Sequence, residues 1–171
     1  MKDIEIDEIK KLLPIIKQAP LVRVGHFSDH GETLSSVLSS FCIENDHDYI
    51  LNCTDDEYFN KIQNKYIEMQ KCRIKNFNLK RPNYMLQGKF YDYLFVSIDL
   101  NTEGRESFLQ KCHKVIKNAG LILIFVPHND HILASSWKML LDENYYVATS
   151  TIDVGNTWDV IISKKMHGWG G

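Results

Sequence analysis

The sequence predicts an α/β fold, a three-layer sandwich with a mostly parallel seven-stranded sheet and a C-terminal antiparallel β-hairpin. Three observations lead to this fold class. Apolar runs of strand length alternate with segments whose apolar residues recur at helical spacing, which is typical of parallel sheets. The run LILIFVP (121–127) is almost continuously apolar, as in a strand covered on both faces. Two alternating segments flank Gly155-Asn156 near the C-terminus, which indicates a hairpin.

The first half of the chain is predicted from its apolar spacing. A lead-in helix over 1–19 ends at Pro20, before a first strand at 21–24. The segments DYILNC (48–53) and KNFNLKR (75–81) are predicted as the second and third strands. Helical spacing is found in three sets of residues: Ile9, Leu12, Leu13 and Ile16; Leu34, Val37, Leu38 and Phe41; and Phe59, Ile62, Tyr66 and Met69.

The second half continues the alternation. YDYLFVSID (91–99) is predicted as the fourth strand, LILIFVP as the fifth, and 146–165 as the hairpin. Two helices precede and follow the fifth strand, with Phe108, Cys112, Val115 and Ile116 on the first and Leu133, Trp137, Leu140 and Leu141 on the second. Gly120 is expected to cap the first of them in the left-handed conformation. The tail 166–171 is expected to be flexible.

Length and composition describe the class of protein. A chain of 171 residues is long enough for one hydrophobic core, so a single domain over 1–171 is expected. A net charge of -2 gives the protein no positive field that would attract a polyanion, so nucleic acid is not an expected partner. The four cysteines form no C-x-x-C pair, and the N-terminus has neither a signal peptide nor a membrane span. We therefore expect a cytoplasmic protein that has reduced thiols and does not associate with membranes.

Two stretches resemble a known family. YDYLFVSIDL (91–100) is similar to the fourth-strand motif of the class I S-adenosylmethionine-dependent methyltransferases, and FLQKCHKVIKNAGLILIFVP (108–127) is similar to their helix, glycine turn and fifth strand. Five β-α units followed by a hairpin also resemble this Rossmann-like superfamily, over roughly residues 20–165. The resemblance implies S-adenosylmethionine as cofactor and methyl transfer to an acceptor that the sequence does not identify.

The first loop departs from the family pattern. Class I methyltransferases usually carry acidic-x-Gly-x-Gly-x-Gly there, whereas this chain has Arg23 at the acidic position and the crowded sequence GHFSDHG at 25–31. The resemblance implies that Gly25, Asp29 and Gly31 of this loop shape the methionine end of the cofactor site, with His26 as a further cofactor-binding residue.

Two further aspartates match positions of the family. Asp55 follows the second strand, where an acidic residue commonly binds both ribose hydroxyls. The sequence TDDE (54–57) is equally a capping box for the next helix, and both interpretations stay open. Asp99 ends the fourth strand at the position that faces cofactor or substrate, and it could instead only begin a turn.

A metal site is the third hypothesis. The loops after strands one, four and five could bring together His26, Asp29, His30, Asp99, His128, Asp130 and His131. Imidazole and carboxylate are common ligands of transition metals, but these spacings match no known ligand motif. Helix caps and exposed histidines explain most of the group, with Asp29 and Glu32 as an N-cap and its partner and Asn129 or Asp130 capping the last helix. We therefore expect no metal.

The sequence leaves three alternative hypotheses for the function. The first is a small methyltransferase whose acceptor is a small molecule or a protein. The second is a binding or assembly protein that has kept the fold with a remodelled cofactor site and could form a homo-oligomer; the crowded first loop and Arg23 favour it. The third, a metal-dependent enzyme, is the least favoured.

Overall fold

The computed structural model describes residues 3–66 and 70–166; Met69 and the tail residues 167–171 lie outside this part of the chain. The helices are α1 (Ile6–Lys10), α2 (Thr33–Glu44), α3 (Asp56–Ile62), α4 (Thr102–Val115) and α5 (His131–Glu143). The strands are β1 (Arg23–Ser28), β2 (Asp48–Cys53), β3 (Cys72–Asn76), β4 (Tyr91–Ser97), β5 (Ile116–Pro127), β6 (Tyr146–Asp153) and β7 (Trp158–Lys165).

The strands form one seven-stranded sheet in the order β3-β2-β1-β4-β5-β7-β6. Neighbours from β3 to β5 are parallel, whereas β7 runs antiparallel to both β5 and β6. The predicted fold class is therefore confirmed, including the C-terminal hairpin. Strand order reverses between β1 and β4, so the chain has one topological switch point beyond the carboxyl ends of these two strands.

Two apolar clusters cover the two faces of the sheet. The first contains residues of α1, α2 and α3, and the second contains residues of α4 and α5. Strand β4 contributes to both, because Phe95 belongs to the first cluster and its neighbours Leu94 and Val96 belong to the second. This alternation is what a strand buried on both faces requires.

The third strand lies earlier than predicted. The expected range was 75–81, but β3 pairs with β2 from Cys72, opposite Tyr49, and ends at Asn76. Phe77 to Arg81 instead form the connection beyond β3, where the side chain of Asn78 accepts a hydrogen bond from the backbone N–H of Lys80. The apolar residues Phe77 and Leu79 that suggested a strand pack against the second apolar cluster.

The prediction that Gly120 caps the fourth helix is wrong. Helix α4 ends at Val115, β5 begins at the next residue, and the left-handed residue is Ala119, with φ 63°. The β4–β5 register shifts here, from Tyr91 opposite Ile116 to Tyr93 opposite Leu121. A Cβ at Gly120 would lie 2.6 Å from Ile116 Cγ2. The glycine is therefore needed for close packing within this irregularity and not for a helix cap.

The lead-in segment is shorter than a 19-residue helix. Helix α1 covers Ile6–Lys10, and a 3-10 turn at Leu13–Ile15 follows it. Pro14 lacks the N–H that a continuing α-helix would use. The predicted apolar face is buried nonetheless at three of its four positions, Ile9, Leu12 and Ile16.

The hairpin turn also differs from the predicted two-residue type. Gly155 and Asn156 do not have the positive φ that such a turn needs, and the last cross-strand pair is Asp153 with Asp159. Helix α1 stabilises the longer connection, because Glu8 Oε1 accepts hydrogen bonds from the backbone N–H groups of Asn156, at 3.0 Å, and Thr157, at 3.4 Å.

The four cysteines are all free and buried, as expected for core thiols. Across residues 3–66 and 70–166, none of the helices combines the length and apolar character needed to cross a bilayer.

Candidate functional site

The segment 25–31 is not the loop that the sequence suggested. Strand β1 continues to Ser28, so the connection to α2 is short and begins at Asp29. Arg23 is the first residue of β1, at the opposite edge of the sheet from the switch point, where its guanidinium lies 4.3 Å from the Phe90 ring centroid. The residue at the family's acidic position is therefore outside the candidate site.

Gly25 lies within β1. A Cβ at this position would lie 2.6 Å from Tyr91 Cε1 and 2.7 Å from Leu94 Cδ1. The glycine is needed because β4 and Tyr91 pack directly against the backbone. The space beside Gly25 is thus filled by the protein's own core.

His26 is a buried, neutral histidine. Its Nδ1 lies 2.8 Å from the Tyr49 hydroxyl and its Nε2 lies 2.7 Å from Ser97 Oγ. Because Ser97 donates to the carbonyl of Phe27, we assign the proton to Nε2 and let Nδ1 accept from Tyr49. Burial, with a smaller contribution from His30, lowers the pKa of His26 to about 3. These bonds connect β1, β2 and β4 just below the switch point.

Asp29 joins the two loops that meet at the switch point. Its Oδ2 accepts a hydrogen bond of 3.0 Å from the backbone N–H of Asp99, which follows β4. Its other oxygen contacts His30 Nδ1. The loop after β1 is therefore attached to the loop after β4, near the position where a ligand of an open α/β sheet would lie.

The N-terminus of α2 is occupied by Asp3. The Asp3 carboxylate accepts hydrogen bonds from the backbone N–H groups of Glu32 and Thr33, at 3.1 and 3.2 Å, and from the Thr33 hydroxyl, at 2.8 Å. Gly31 has a left-handed φ of 74°, and a Cβ there would lie 2.7 Å from Asp3 Oδ1. The Asp3 carboxylate thus satisfies two of the free N–H donors at the N-terminus of α2 and packs against Gly31.

The prediction that Asp29 and Glu32 cap α2 is wrong. Asp29 instead bonds Asp99, and Glu32 occupies the N-cap position without a side-chain cap. The Glu32 carboxylate forms ion pairs with Lys61, at 3.3 Å, and with Lys65 of the segment that follows α3.

Four aromatic side chains fill the α4 side of the same edge. The Phe27 ring centroid lies 5.1 Å from Phe77, 5.3 Å from Phe108 and 5.5 Å from Tyr84. We call these four residues the aromatic cluster. The sequence interpretation missed it as a unit, because its members come from β1, the connection after β3, and α4. The available signal was Phe27, a large residue in a segment expected to be a glycine-rich loop.

Asp55 is the N-cap of α3, one residue later than the predicted Thr54–Glu57 capping box would place it; the Thr54 hydroxyl instead donates to the carbonyl of Ser28. Asp55 Oδ1 accepts a 2.8 Å hydrogen bond from the backbone N–H of Tyr58, at the start of α3. The residue is exposed and borders an open groove of about 750 Å³, which is lined by residues 54–57 and 76–80. A helix cap within TDDE is therefore confirmed, at Asp55 and not as the predicted box, and the groove leaves room for a ligand beside Asp55.

A separate cavity lies beyond β4 and β5. Its volume is about 250 Å³, and its lining includes the polar residues Ser97, Asp99, Arg105 and Asp130 and the indoles Trp137 and Trp158. The Arg105 guanidinium lies 5.6 Å from the Trp137 ring centroid. In the described part of the chain the buried indole N–H of Trp158 finds no hydrogen-bond acceptor. This nitrogen is fully buried, so the cavity is lined by the Trp158 ring and not by its N–H.

The histidines and aspartates of the three loops do not come together in the metal cluster that was considered as the third hypothesis. His26 lies in the hydrogen-bonded core, and Asp130 caps α5 by accepting from the backbone N–H of Leu133. Within residues 3–66 and 70–166, one group of metal-ligating side chains is found, and it consists of His128, Asp153 and Asp159. Only His128 belongs to the predicted set.

Comparison with known proteins gives the fold. No protein-family model matches the sequence, and no curated protein does. A S-adenosylmethionine-dependent O-methyltransferase from Thermotoga maritima superposes with a TM-score of 0.73 at 12% identity, over 99% of this chain and 69% of that one. A TehB-like methyltransferase from Corynebacterium glutamicum gives 0.69 at 13% identity, over 94% and 89%. Human N-acetylserotonin methyltransferase, in complex with S-adenosylmethionine, gives 0.68 at 11%, over 94% and 52%.

Several similar structures are longer than this chain, which spans 52% of the CurJ carbon methyltransferase and 47% of the citrinin polyketide synthase methyltransferase domain. Identities in this range are informative about fold and not about activity. The strand order, the antiparallel β7 and these superpositions agree. The chain therefore has the Rossmann-like fold of the class I S-adenosylmethionine-dependent methyltransferases.

Proposed function

We propose that the protein binds a small molecule in the cavity beyond β4 and β5 and does not transfer a methyl group. The observation that carries this proposal is the 3.0 Å hydrogen bond from the backbone N–H of Asp99 to the Asp29 carboxylate. It joins the loops after β1 and β4 at the switch point, the position at which open α/β sheets bind their ligands. This is the second of the three functions considered from the sequence, with the ligand cavity added.

The residues present do not fit S-adenosylmethionine at the switch point. A methionine carboxylate would need free N–H donors, but those of Glu32 and Thr33 already donate to Asp3. Bare backbone would be needed beside the cofactor, but the space at Gly25 is filled by Tyr91, and Phe27 packs within the aromatic cluster.

The cavity supports a binding function. The Trp158 indole nitrogen is fully buried, so a ligand in the cavity would contact the ring face of this residue and not its N–H. Arg105 adds a positive charge, and the two indoles add flat apolar surface. The volume of about 250 Å³ is slightly below the usual range for ligand cavities. The proposed ligand is therefore a small, partly apolar molecule with a hydrogen-bond acceptor.

Methyl transfer is the second candidate, and the groove beside Asp55 favours it. The exposed Asp55 carboxylate would hold the ribose, and the cofactor's methionine end would displace Asp3 and break the Asp29–Asp99 bond. Similar structures that contain S-adenosylmethionine or S-adenosylhomocysteine add support at the level of fold. Of the other residues predicted for this site, Gly31 and Asp99 lie in the loops that would have to open, whereas Gly25 and His26 are buried in the core.

Thermal unfolding with S-adenosylmethionine and with S-adenosylhomocysteine separates the two candidates. A cofactor present at about 100 times its dissociation constant would raise Tm by roughly 5–10 °C. We expect no shift for the wild-type protein at millimolar cofactor. A shift that disappears in Asp55→Asn would contradict the proposal and support methyl transfer.

Indole N–H resonances test the cavity directly. The chain contains three tryptophans, so its ¹H–¹⁵N spectrum has three indole signals, and Trp158→Phe assigns the relevant one. We expect small molecules with a carbonyl or carboxylate, screened by ligand-observed NMR, to shift the Trp158 signal. Asp55→Asn is the matched control and should bind the same molecules. Hits that leave the Trp158 signal in place would argue against this cavity.

A further inference from the structure

Two carboxylates lie opposite each other beside the turn of the β6–β7 hairpin. Asp153, the last residue of β6, is the direct cross-strand partner of Asp159 in β7. Like charges placed directly opposite each other destabilise a strand pair. The nearby lysine, Lys11, donates to the carbonyl of Val154 at 2.6 Å and not to either carboxylate.

An imidazole completes this group. His128 follows the last residue of β5, and its backbone N–H donates to the carbonyl of Thr157 at 3.0 Å, which fixes it beside the hairpin. His128 Nδ1 lies 2.9 Å from Asp159 Oδ1. One ligand atom from each of His128, Asp153 and Asp159 lies within 4.8 Å of the others. Asp153 is exposed and the other two are half-buried, so an ion can reach the group from solvent.

We propose that His128, Asp153 and Asp159 bind a divalent transition-metal cation of the Zn²⁺ or Mn²⁺ class. One neutral imidazole and two carboxylates suit these ions, whereas Mg²⁺ prefers oxygen ligands throughout. The cation neutralises the Asp153–Asp159 pair and attaches the β6–β7 connection to the end of β5. This role is structural. It depends neither on the cavity nor on the groove, and it replaces the expectation that the chain holds no metal.

Metal binding to the full-length, untagged protein tests the site. After chelator treatment and dialysis, ZnCl₂ and MnCl₂ are titrated separately by calorimetry. We expect one ion per chain for at least one of them and a rise in Tm of roughly 5–10 °C at about 100 times the dissociation constant. His128→Ala and Asp153→Asn should each weaken binding by at least tenfold. His131→Ala, at an exposed position three residues away, is the matched control and should bind like wild type.

Asp153→Asn keeps the test independent of folding, because Asp153 is exposed and its substitution removes only a charge. Without metal, this variant should have a slightly higher Tm than wild type, since the like-charge pair is gone. The proposal is overturned if neither ion binds, or if binding persists in both His128→Ala and Asp153→Asn. In that case the His128–Asp159 hydrogen bond alone would account for the group.

Discussion

The buried imidazole of His26 should make the fold sensitive to mild acid. In the folded protein its pKa is lowered from 6.5 to about 3, first by burial and then by His30. The unfolded chain has the ordinary value, so between pH 6.5 and pH 3 the unfolded state binds a proton that the folded state does not. Unfolding is therefore favoured as the pH falls through this window, and the stability contributed by neutral His26 is recovered above it.

The magnitude follows from the two pKa values. At pH 5 the unfolded chain is almost fully protonated at His26, while the folded protein remains neutral there. The linkage relation then gives a loss of about 2 kcal/mol between pH 7 and pH 5 from this one group. Since native domains are stable by about 5–15 kcal/mol, this is a measurable fraction.

Urea unfolding at pH 7 and pH 5 measures the effect. His26→Gln should be less stable than wild type at pH 7, because the Tyr49 and Ser97 hydroxyls lose a partner, but its loss between pH 7 and pH 5 should be about 2 kcal/mol smaller. His131→Gln, at an exposed site, should lose as much as wild type. If His26→Gln does not fold, the His26 ring resonances of the wild type should show no titration above pH 4.5. A midpoint near 6.5, or equal losses in both variants, would refute the reasoning.

Three substitutions test other contacts by chemical unfolding. Gly25→Ala should destabilise the protein by about 1–3 kcal/mol, since the new methyl group overlaps Tyr91; unchanged stability would mean that β1 and β4 are less tightly packed than described. Asp3→Ala should cost about 1 kcal/mol through the lost cap of α2, whereas Asp3→Asn should cost less, and equal costs would contradict a hydrogen-bonded cap. Glu8→Ala should cost about 1–3 kcal/mol and increase amide exchange at 156 and 157; unchanged exchange there would argue against the bonds from α1.

Most of the fold was predictable because it depends on local apolar spacing. The hairpin, the last helix and the fifth strand each have a periodicity or an apolar run that few other structures share. The extent of β1 was not predictable in this way, because His26 and Ser28 interrupt its apolar run. The hydroxyls that make a buried His26 acceptable come from Tyr49 and Ser97, which lie 23 and 71 residues away in sequence.

The candidate sites were harder to predict for a related reason. That the segment 54–57 caps α3 was predictable to within one residue, since an N-cap depends on residues within one helical turn. The pairing of Asp153 with Asp159 depends on the register of the hairpin, and the expected two-residue turn implies a different register. Asp3 and Gly31 meet only because the N-terminal segment returns to the start of α2.

The attachment of α1 to the hairpin turn has a consequence for the order in which the protein can fold. Glu8 is synthesised 148 residues before Asn156, the residue whose N–H it accepts. At about 5–20 residues per second, the ribosome needs roughly 7–30 s to make that stretch. Throughout this interval the Glu8 carboxylate lacks the turn that it binds, although Asp3 can already bind the start of α2. The bond between α1 and the hairpin turn is therefore formed late during synthesis, although Glu8 is made early.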